Sequence, residues 1–256
     1  MNFFSVLGME FRKIHRSKIL FLLFLPLVIL WIPNVINAHM NFQTTMEGIS
    51  PENNFFVQSF MGFTWFMMPA SLIVCNVLLI QTERSNRGIV KMLSMPIHTV
   101  KLCMAKLLVL VILAALQMLM MTGMYFICAK IASHMQDYSF ALSPVFVLEQ
   151  AGILFVASIP MISFFWMMSV YIQTPIFSIG IGLAMIVPSV LIINTKVWFL
   201  YPMCYPFYVI VLKYNELAAG IGTGELKLVP WVLAAVGMTI IFSAAACGHF
   251  GKEERR

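Results

Sequence analysis

Six long apolar stretches run along the chain, with polar segments between them. Each holds about 20 mostly apolar residues, the length that an α-helix needs to cross a bilayer core of about 30 Å. Lipid offers no partners to backbone N–H and C=O groups, and no alternating pattern of a barrel strand occurs, so the stretches predict helices. The predicted spans are Ile19–Asn37, Phe55–Ile80, Leu102–Ile131, Val145–Tyr171, Ile176–Asn194 and Leu228–Phe250.

A further apolar stretch, Trp198–Leu212, does not fit a crossing. It is short, and Pro202 and Pro206 interrupt it. We predict a re-entrant or interfacial segment within an outer loop of residues 195–227, with its rings at the level of the lipid head groups. An ordinary aromatic belt without a role in transport fits the same pattern. The rings expected to contact a substrate belong to Trp198, Phe199, Tyr201, Tyr205 and Tyr208.

Basic residues cluster beside alternate ends of the spans. Of the 16 Lys and Arg residues, twelve lie in residues 12–18, 84–106 and 252–256. The positive-inside rule places all three segments in the cytoplasm. Both termini of this multi-pass protein are therefore predicted to be cytoplasmic.

Composition excludes a soluble protein with a single core and a charged surface. The chain is 61% hydrophobic and 10% charged, with a mean hydropathy of +0.92. A net charge of +6 would suggest nucleic acid in a soluble domain. Here the basic residues adjoin apolar spans, where anionic lipid head groups are the nearest partners. We therefore predict a lipid membrane as the partner and no binding of nucleic acid.

Residues 1–17 predict an amphipathic helix on the cytoplasmic surface of the membrane. Phe3, Leu7, Phe11 and Ile14 share one face at helical spacing, and basic residues project from the other face. Such helices are typical of membrane surfaces. A contact with a cytosolic subunit is the alternative.

The cytoplasmic loop of residues 81–101 is longer than a simple connection between helices needs. Its alternating apolar and basic positions favour a short amphipathic helix that begins at Gly88 and ends at Pro96. Such a helix can transmit motion from a soluble motor protein, and a solvated basic loop is the alternative. The residues expected to contact that protein are Glu83, Arg84, Arg87, Ile89, Val90, Leu93, Met95 and Pro96.

Two motifs resemble those of permease subunits of ABC-2-type transporters. Glu83-Arg84, Arg87-Gly88 and the stretch from Leu93 to Ile97 are similar to the loop after the second helix of these permeases. Residues 9–18 are similar to the segment before their first helix. Within this family, the size and the order of spans most resemble the small permeases that protect Gram-positive bacteria from lantibiotics and related peptide antibiotics.

This resemblance implies a single all-α membrane domain over residues 1–256, with six transmembrane helices, in a bacterial cell membrane. It also implies two partners, which are an ABC ATPase dimer bound at residues 81–101 and a second permease, identical or homologous. ATP and Mg²⁺ would be used by the ATPase, so this chain is expected to hold no cofactor.

No motif of an enzyme is present in the sequence. No G-x-x-x-x-G-K-[ST] stretch occurs, so ATP hydrolysis is expected in a separate chain. The five histidines and five cysteines are dispersed, without ligand spacing or a C-x-x-C pair, and predict neither a metal site nor a redox centre. We therefore predict a transport subunit without catalytic residues.

Few ionisable residues lie at membrane depth, and no carboxylate is placed near the midplane of a span. This argues against transport coupled to H⁺ or Na⁺. The side chains of Asn76 and Gln117 are interpreted as forming hydrogen bonds between helices. The sequence therefore predicts the permease of an ATP-driven exporter for an antimicrobial peptide or similar amphiphile. The alternatives are an ABC-2 permease for a drug, lipid or ion, and a membrane scaffold or sensor without transport activity.

Overall fold

The computed structural model describes residues 3–16, 18–84, 98–218 and 228–250, and within them the chain forms helices and no strand. The α-helices are α1 (Phe3–Arg16), α2 (Ile19–Ile36), α3 (Pro51–Gly62), α4 (Met68–Arg84), α5 (Thr99–Gln136), α6 (Pro144–Tyr171), α7 (Pro175–Ile186), α8 (Ser189–Ile192), α9 (Tyr205–Leu217) and α10 (Leu228–His249). Three short 3-10 segments cover Ala38–Glu47, Trp198–Leu200 and Pro202–Cys204.

Among the described residues, six helical segments are long and apolar enough to cross a membrane, which confirms the predicted all-α architecture with six spans. They are Ile19–Ile36, Pro51–Gln81, Thr99–Gln136, Pro144–Tyr171, Pro175–Ile192 and Pro230–His249. The third is longer than predicted, since α5 continues past Ile131 to Gln136. Its 38 residues extend about 57 Å, so both of its ends reach beyond a bilayer core of about 30 Å.

Local sequence signals set several helix ends. Three helices begin with a proline, which is Pro51, Pro144 or Pro175. The first N–H groups of a helix have no acceptor within the helix, so a residue without an N–H costs no hydrogen bond there. Asp137 ends α5 in the left-handed region, with a φ of 50°. Asp is one of the few residues other than Gly that adopt this conformation readily.

A π-helical turn, Phe63–Met67, joins α3 to α4 and makes them one span. The Met68 N–H donates to the carbonyl of Phe63, five residues earlier. One residue later Pro69 has no N–H, so the regular bond to the carbonyl of Trp65 cannot form. The widened turn is therefore located where a proline interrupts the helical hydrogen bonds.

The two ends of the helical bundle differ in the segments they carry. We call the end with α1, the last residues of α4 and the turn of residues 172–174 the N-terminal face. The end with residues 38–50 and 137–143 is the opposite face. Successive spans run antiparallel between these two faces.

Polar side chains inside the bundle link neighbouring spans. The Asn76 Nδ2 donates to the carbonyl of Phe165 at 2.6 Å and to the hydroxyl of Ser169 at 2.8 Å. The Gln117 Nε2 donates to the Ser71 hydroxyl at 2.7 Å. These bonds confirm the interpretation of Asn76 and Gln117 as contacts between helices. They hold the second span against the third and fourth spans.

The spans differ in how much of them the single chain covers. In the most apolar 18 residues of each span, 61–67% of the residues are buried in the second, third and fourth spans. The share falls to 22% in the first and fifth spans and to 6% in the sixth. The core of the fold is therefore built around the second, third and fourth spans.

The segment between the fifth and sixth spans folds back along the fifth. The Tyr201 hydroxyl donates to the carbonyl of Met185, which lies in α7, and the Cys204 thiol reaches the carbonyl of Ser189 at 3.3 Å. From there α9 returns toward the opposite face, where Lys213 lies over the ring of Phe146 at the start of α6. The 13 residues of α9 extend only about 20 Å, which is less than a bilayer core.

Candidate functional site

The predicted ATPase contact lies mostly outside the described residues. Glu83 and Arg84 are the last two residues of α4. The other six residues assigned to this contact, Arg87, Ile89, Val90, Leu93, Met95 and Pro96, fall within residues 85–97, which the structure does not describe. His98 precedes α5 as its N-cap and is exposed. The structure therefore locates both ends of this loop on the N-terminal face.

A buried ion pair connects α1 to the helix that follows this loop. The Lys106 Nζ lies 2.8 Å from the Glu10 Oε2, and the Lys13 Nζ lies 2.8 Å from the Glu10 Oε1. Glu10 is 2% exposed and Lys106 is 1% exposed. Burial alone would raise the pKa of Glu10, but the charges and hydrogen bonds of Lys106 and Lys13 hold that pKa below its ordinary value. Glu10 is therefore an ionised carboxylate at neutral pH.

The buried face of α1 differs from the predicted apolar face. Val6, Glu10 and Ile14 are buried, whereas Phe11 is 37% exposed. The three buried residues are spaced four apart, so they lie along one side of the helix. The packing of α1 against α5 thus places a charged residue at the centre of its buried side, which a pattern of apolar positions cannot indicate.

Two cysteines that are distant in the sequence meet near this ion pair. The thiol of Cys103, one turn before Lys106, lies beside that of Cys247, in the last turns of α10. The Trp166 Nε1 also donates to the Cys103 Sγ at 3.3 Å. All five cysteines are free thiols. The sequence analysis missed this contact, which holds α5, α6 and α10 together at the N-terminal face.

No metal site accompanies these side chains in the described part of the chain, where no group of three or more His, Cys, Asp or Glu residues is placed to hold an ion. His249 stacks on the ring of Tyr171, with centroids 4.2 Å apart. The described side chains of the N-terminal face thus provide contacts between helices.

Of the five rings predicted to contact a substrate, those of Trp198, Tyr205 and Tyr208 form one packed cluster. Trp198 stacks on Tyr208 with centroids 3.9 Å apart, and Tyr205 meets Trp198 edge to face at 6.0 Å. The Tyr205 hydroxyl donates to the carbonyl of Phe199. Tyr205 is fully buried, and the other four residues, Trp198, Phe199, Tyr201 and Tyr208, are partly buried. The rings therefore stabilise the folded-back segment as well as presenting an aromatic surface.

The ring of Trp231 also belongs to this cluster and was missed from the sequence. Its centroid lies 5.6 Å from that of Tyr205 and 6.2 Å from that of Trp198. Trp231 lies near the start of α10. It joins the folded-back segment to the sixth span, across residues 219–227 that the structure does not describe.

An apolar groove of about 570 Å³ lies next to the aromatic cluster. Its walls come from the second span, the fifth span and α9. The lining residues are Gln58, Met61, Gly62, Trp65, Val187, Val190, Leu191 and Phe207. Phe207 belongs to the folded-back segment, but none of the five predicted rings lines the groove. The π-helical turn contributes Trp65 to this lining.

Comparison with known proteins gives one match. Residues 6–189 match the model of a family described as "ABC-2 family transporter protein". This range begins within α1 and extends through the first five spans to the start of α8. No curated protein and no solved structure matches the chain.

Proposed function

The chain belongs to the ABC-2 family of transporter proteins, and we propose that it is the permease subunit of an ATP-driven exporter that removes an antimicrobial peptide, of the lantibiotic kind, or a similar amphiphile from the membrane. Membership makes it a multi-pass membrane subunit of an ABC transporter, and such subunits are generally not catalytic. The substrate and the direction of movement belong to the proposal.

The groove of about 570 Å³ carries the proposal for the substrate. Its walls are almost entirely apolar, and Leu191 on its rim is 75% exposed. A molecule dissolved in the bilayer can enter such a groove sideways and keep its apolar part out of water. This geometry favours an amphiphile over an ion, which would need polar ligands at membrane depth.

The Glu10–Lys106 pair supports coupling to an ATPase at the N-terminal face. Lys106 lies eight residues after His98, at the end of the loop that we propose as the ATPase contact. A push on this loop would reach α5 directly and α1 through the buried carboxylate. The proposed partner is an ABC ATPase dimer that binds ATP and Mg²⁺, because the sequence itself has no P-loop.

The weakly covered spans support assembly with a second permease. In the most apolar 18 residues of each span, the chain itself buries 6% of the residues in the sixth span and 22% in the first and fifth. We propose that an identical or homologous permease covers part of these surfaces and that lipid covers the rest. In this arrangement the protein lies in the bacterial plasma membrane with both termini in the cytoplasm, as the distribution of Lys and Arg favours.

Reconstitution tests the proposed function. The permease would be purified with the ATPase encoded beside it and placed in lipid nanodiscs. We expect a lantibiotic or a comparable amphiphile to increase ATP hydrolysis, and an ATPase variant without its catalytic glutamate to abolish the increase. An unchanged rate across peptides and drugs, with the complex intact, would favour a scaffold or sensor.

A further inference from the structure

A polar cavity of about 350 Å³ lies on the opposite face, between the end of α2, the 3-10 segment that follows it and the start of α3. Its lining is dominated by carboxamide side chains, which are those of Asn34, Asn37, Asn41, Gln43, Asn54 and Gln58. Carboxamides offer both hydrogen-bond donors and acceptors without charge. Six of them around one cavity make a surface suited to hydroxyl or amide groups.

The deepest of these side chains are fixed by hydrogen bonds. The Asn54 Nδ2 donates to the Asn41 Oδ1 at 2.8 Å, and the Asn41 Nδ2 donates to the carbonyl of Ala38 at 2.8 Å. Both residues are buried. Gln58 is exposed, and its Nε2 is 3.5 Å from the Asn54 Oδ1, which is long for a hydrogen bond. The cavity thus has a rigid wall and, in Gln58, a carboxamide that can turn to a ligand.

Gln58 also lines the apolar groove described above. The cavity and the groove therefore adjoin at one residue, with hydrogen-bonding groups on the side of the opposite face and apolar groups toward the middle of the spans. An amphiphile has the same arrangement, with a polar head group at one end and an apolar tail at the other. Both volumes, about 350 and 570 Å³, fall within the range that holds drug-sized ligands, about 300–1,000 Å³.

Charge narrows the class of ligand. None of the residues that line either space carries a charged side chain, within the described part of the chain. A charged head group would lose hydration here without gaining a counter-charge, which costs more than burying a neutral group that finds hydrogen bonds. We propose that the cavity and the groove together bind a small amphiphile with an uncharged, hydroxyl- or amide-rich head group and an apolar tail. This inference rests on the proposed function and, of its two substrate classes, selects the small amphiphile over the peptide, for which spaces of about 350 and 570 Å³ are too small.

Quenching of Trp65 fluorescence by brominated probes tests this site. The full-length permease in nanodiscs, without ATP, would be titrated with an alkyl maltoside that carries bromine atoms in its tail. An alkyltrimethylammonium with the same tail serves as the charged comparison. We expect the maltoside to quench at lower concentration, and the part of the quenching due to Trp65 to vanish in Trp65→Phe.

Gln58→Leu should weaken binding of the maltoside about three- to tenfold, the loss expected for a hydrogen bond to an uncharged group. Gln136→Leu makes the same change on the same face, outside both spaces, and should leave binding unaltered. Equal binding of the cationic probe, or wild-type binding by Gln58→Leu, would overturn the proposal. The quenching measurement needs no ATP. If the probes do not quench Trp65 but the substrate still stimulates ATP hydrolysis, only this site is rejected. If the probes quench Trp65 but no substrate stimulates ATP hydrolysis, the proposed function as an exporter is rejected.

Discussion

Glu10 and Lys106 form an ion pair across 96 positions of sequence, with 2.8 Å between Oε2 and Nζ. The pair fixes the helix before the first span to the third span, although neither helix is adjacent to the other in the chain. A buried ion pair rarely stabilises a fold more than well-packed apolar residues of similar volume would. Their presence at the N-terminal face is consistent with a role in positioning α1 during transport.

Breaking this pair should destabilise the permease. Lys106→Met leaves a buried carboxylate with Lys13 as its remaining partner, at an expected cost of about 3–5 kcal/mol. Thermal unfolding in nanodiscs measures the loss, and Lys130→Met, an exposed lysine on the same helix, is the control. The double variant Glu10→Met/Lys106→Met should recover much of the stability. A double variant as unstable as Lys106→Met would show that the ion pair is not the cause.

The pair should also fail in acid. Because the pKa of Glu10 is lowered from its ordinary value of 4.5, the carboxylate stabilises the folded state above that pH and loses this contribution as the pH falls through the lowered value. Glu10→Gln should therefore unfold at a lower temperature than the wild type at pH 7, and the difference should shrink below about pH 4.5. A constant difference from pH 7 to pH 3.5 would assign the effect to packing.

The loop of residues 85–97 should bind the ATPase mainly through its apolar side chains. Leu93→Asp is expected to weaken co-purification more than Arg84→Ala, because it would place a charge in an apolar contact, whereas a surface ion pair contributes only about 0–1 kcal/mol. Pull-down of the ATPase and its stimulated rate are the measurements. If neither variant changes either quantity at equal expression, the contact lies elsewhere.

Topology can be tested with single cysteines in a background without the five native ones. Ser139→Cys is suitable for the opposite face because Ser139 is exposed. A membrane-impermeant reagent should label Ser139→Cys in intact cells and Ser94→Cys only after lysis. The reverse pattern would invert the proposed orientation.

Two substitutions in the aromatic cluster should affect folding and transport differently. Tyr205 is fully buried and hydrogen-bonded to Phe199, so Tyr205→Ala should cost about 3–5 kcal/mol and lower the yield of folded protein. Tyr208→Leu, at a partly exposed ring, should leave folding largely intact and reduce resistance to the substrate. Resistance at equal expression, together with unfolding temperature, distinguishes the two. Full resistance of Tyr208→Leu would reduce this surface to a structural anchor.

Hydropathy predicted the six spans because each crossing requires about 20 apolar residues, whatever its neighbours are. The contacts between spans depend on packing and could not be read in the same way. Nothing in the sequence around Glu10 distinguishes it from a surface carboxylate, and only the approach of α1 to α5 pairs it with Lys106. Cys103 and Cys247 meet for the same reason.

The aromatic segment was predicted from the sequence, but the groove and its lining were not. Aromatic residues near the fifth span indicated the segment. The rings of Trp198, Tyr205 and Tyr208 pack on each other, and the first two also contact the ring of Trp231. The walls come instead from Met61, Val190 and similar apolar residues, whose sequence context is that of any membrane helix. The amide cavity is assembled from two spans and a 3-10 segment, so no single stretch of sequence reveals it.

The π-helical turn at Phe63–Met67 gives the second span a phase shift. One extra residue in a helical turn rotates everything beyond it by about 100° relative to a regular helix. Gln58 faces the groove on one side of the shift, and Asn76 faces Phe165 and Ser169 on the other. A helical wheel drawn through the whole span would misplace one of them. Deleting a single residue from the turn would bring the two halves into one register and turn one of these two side chains away from its present neighbours.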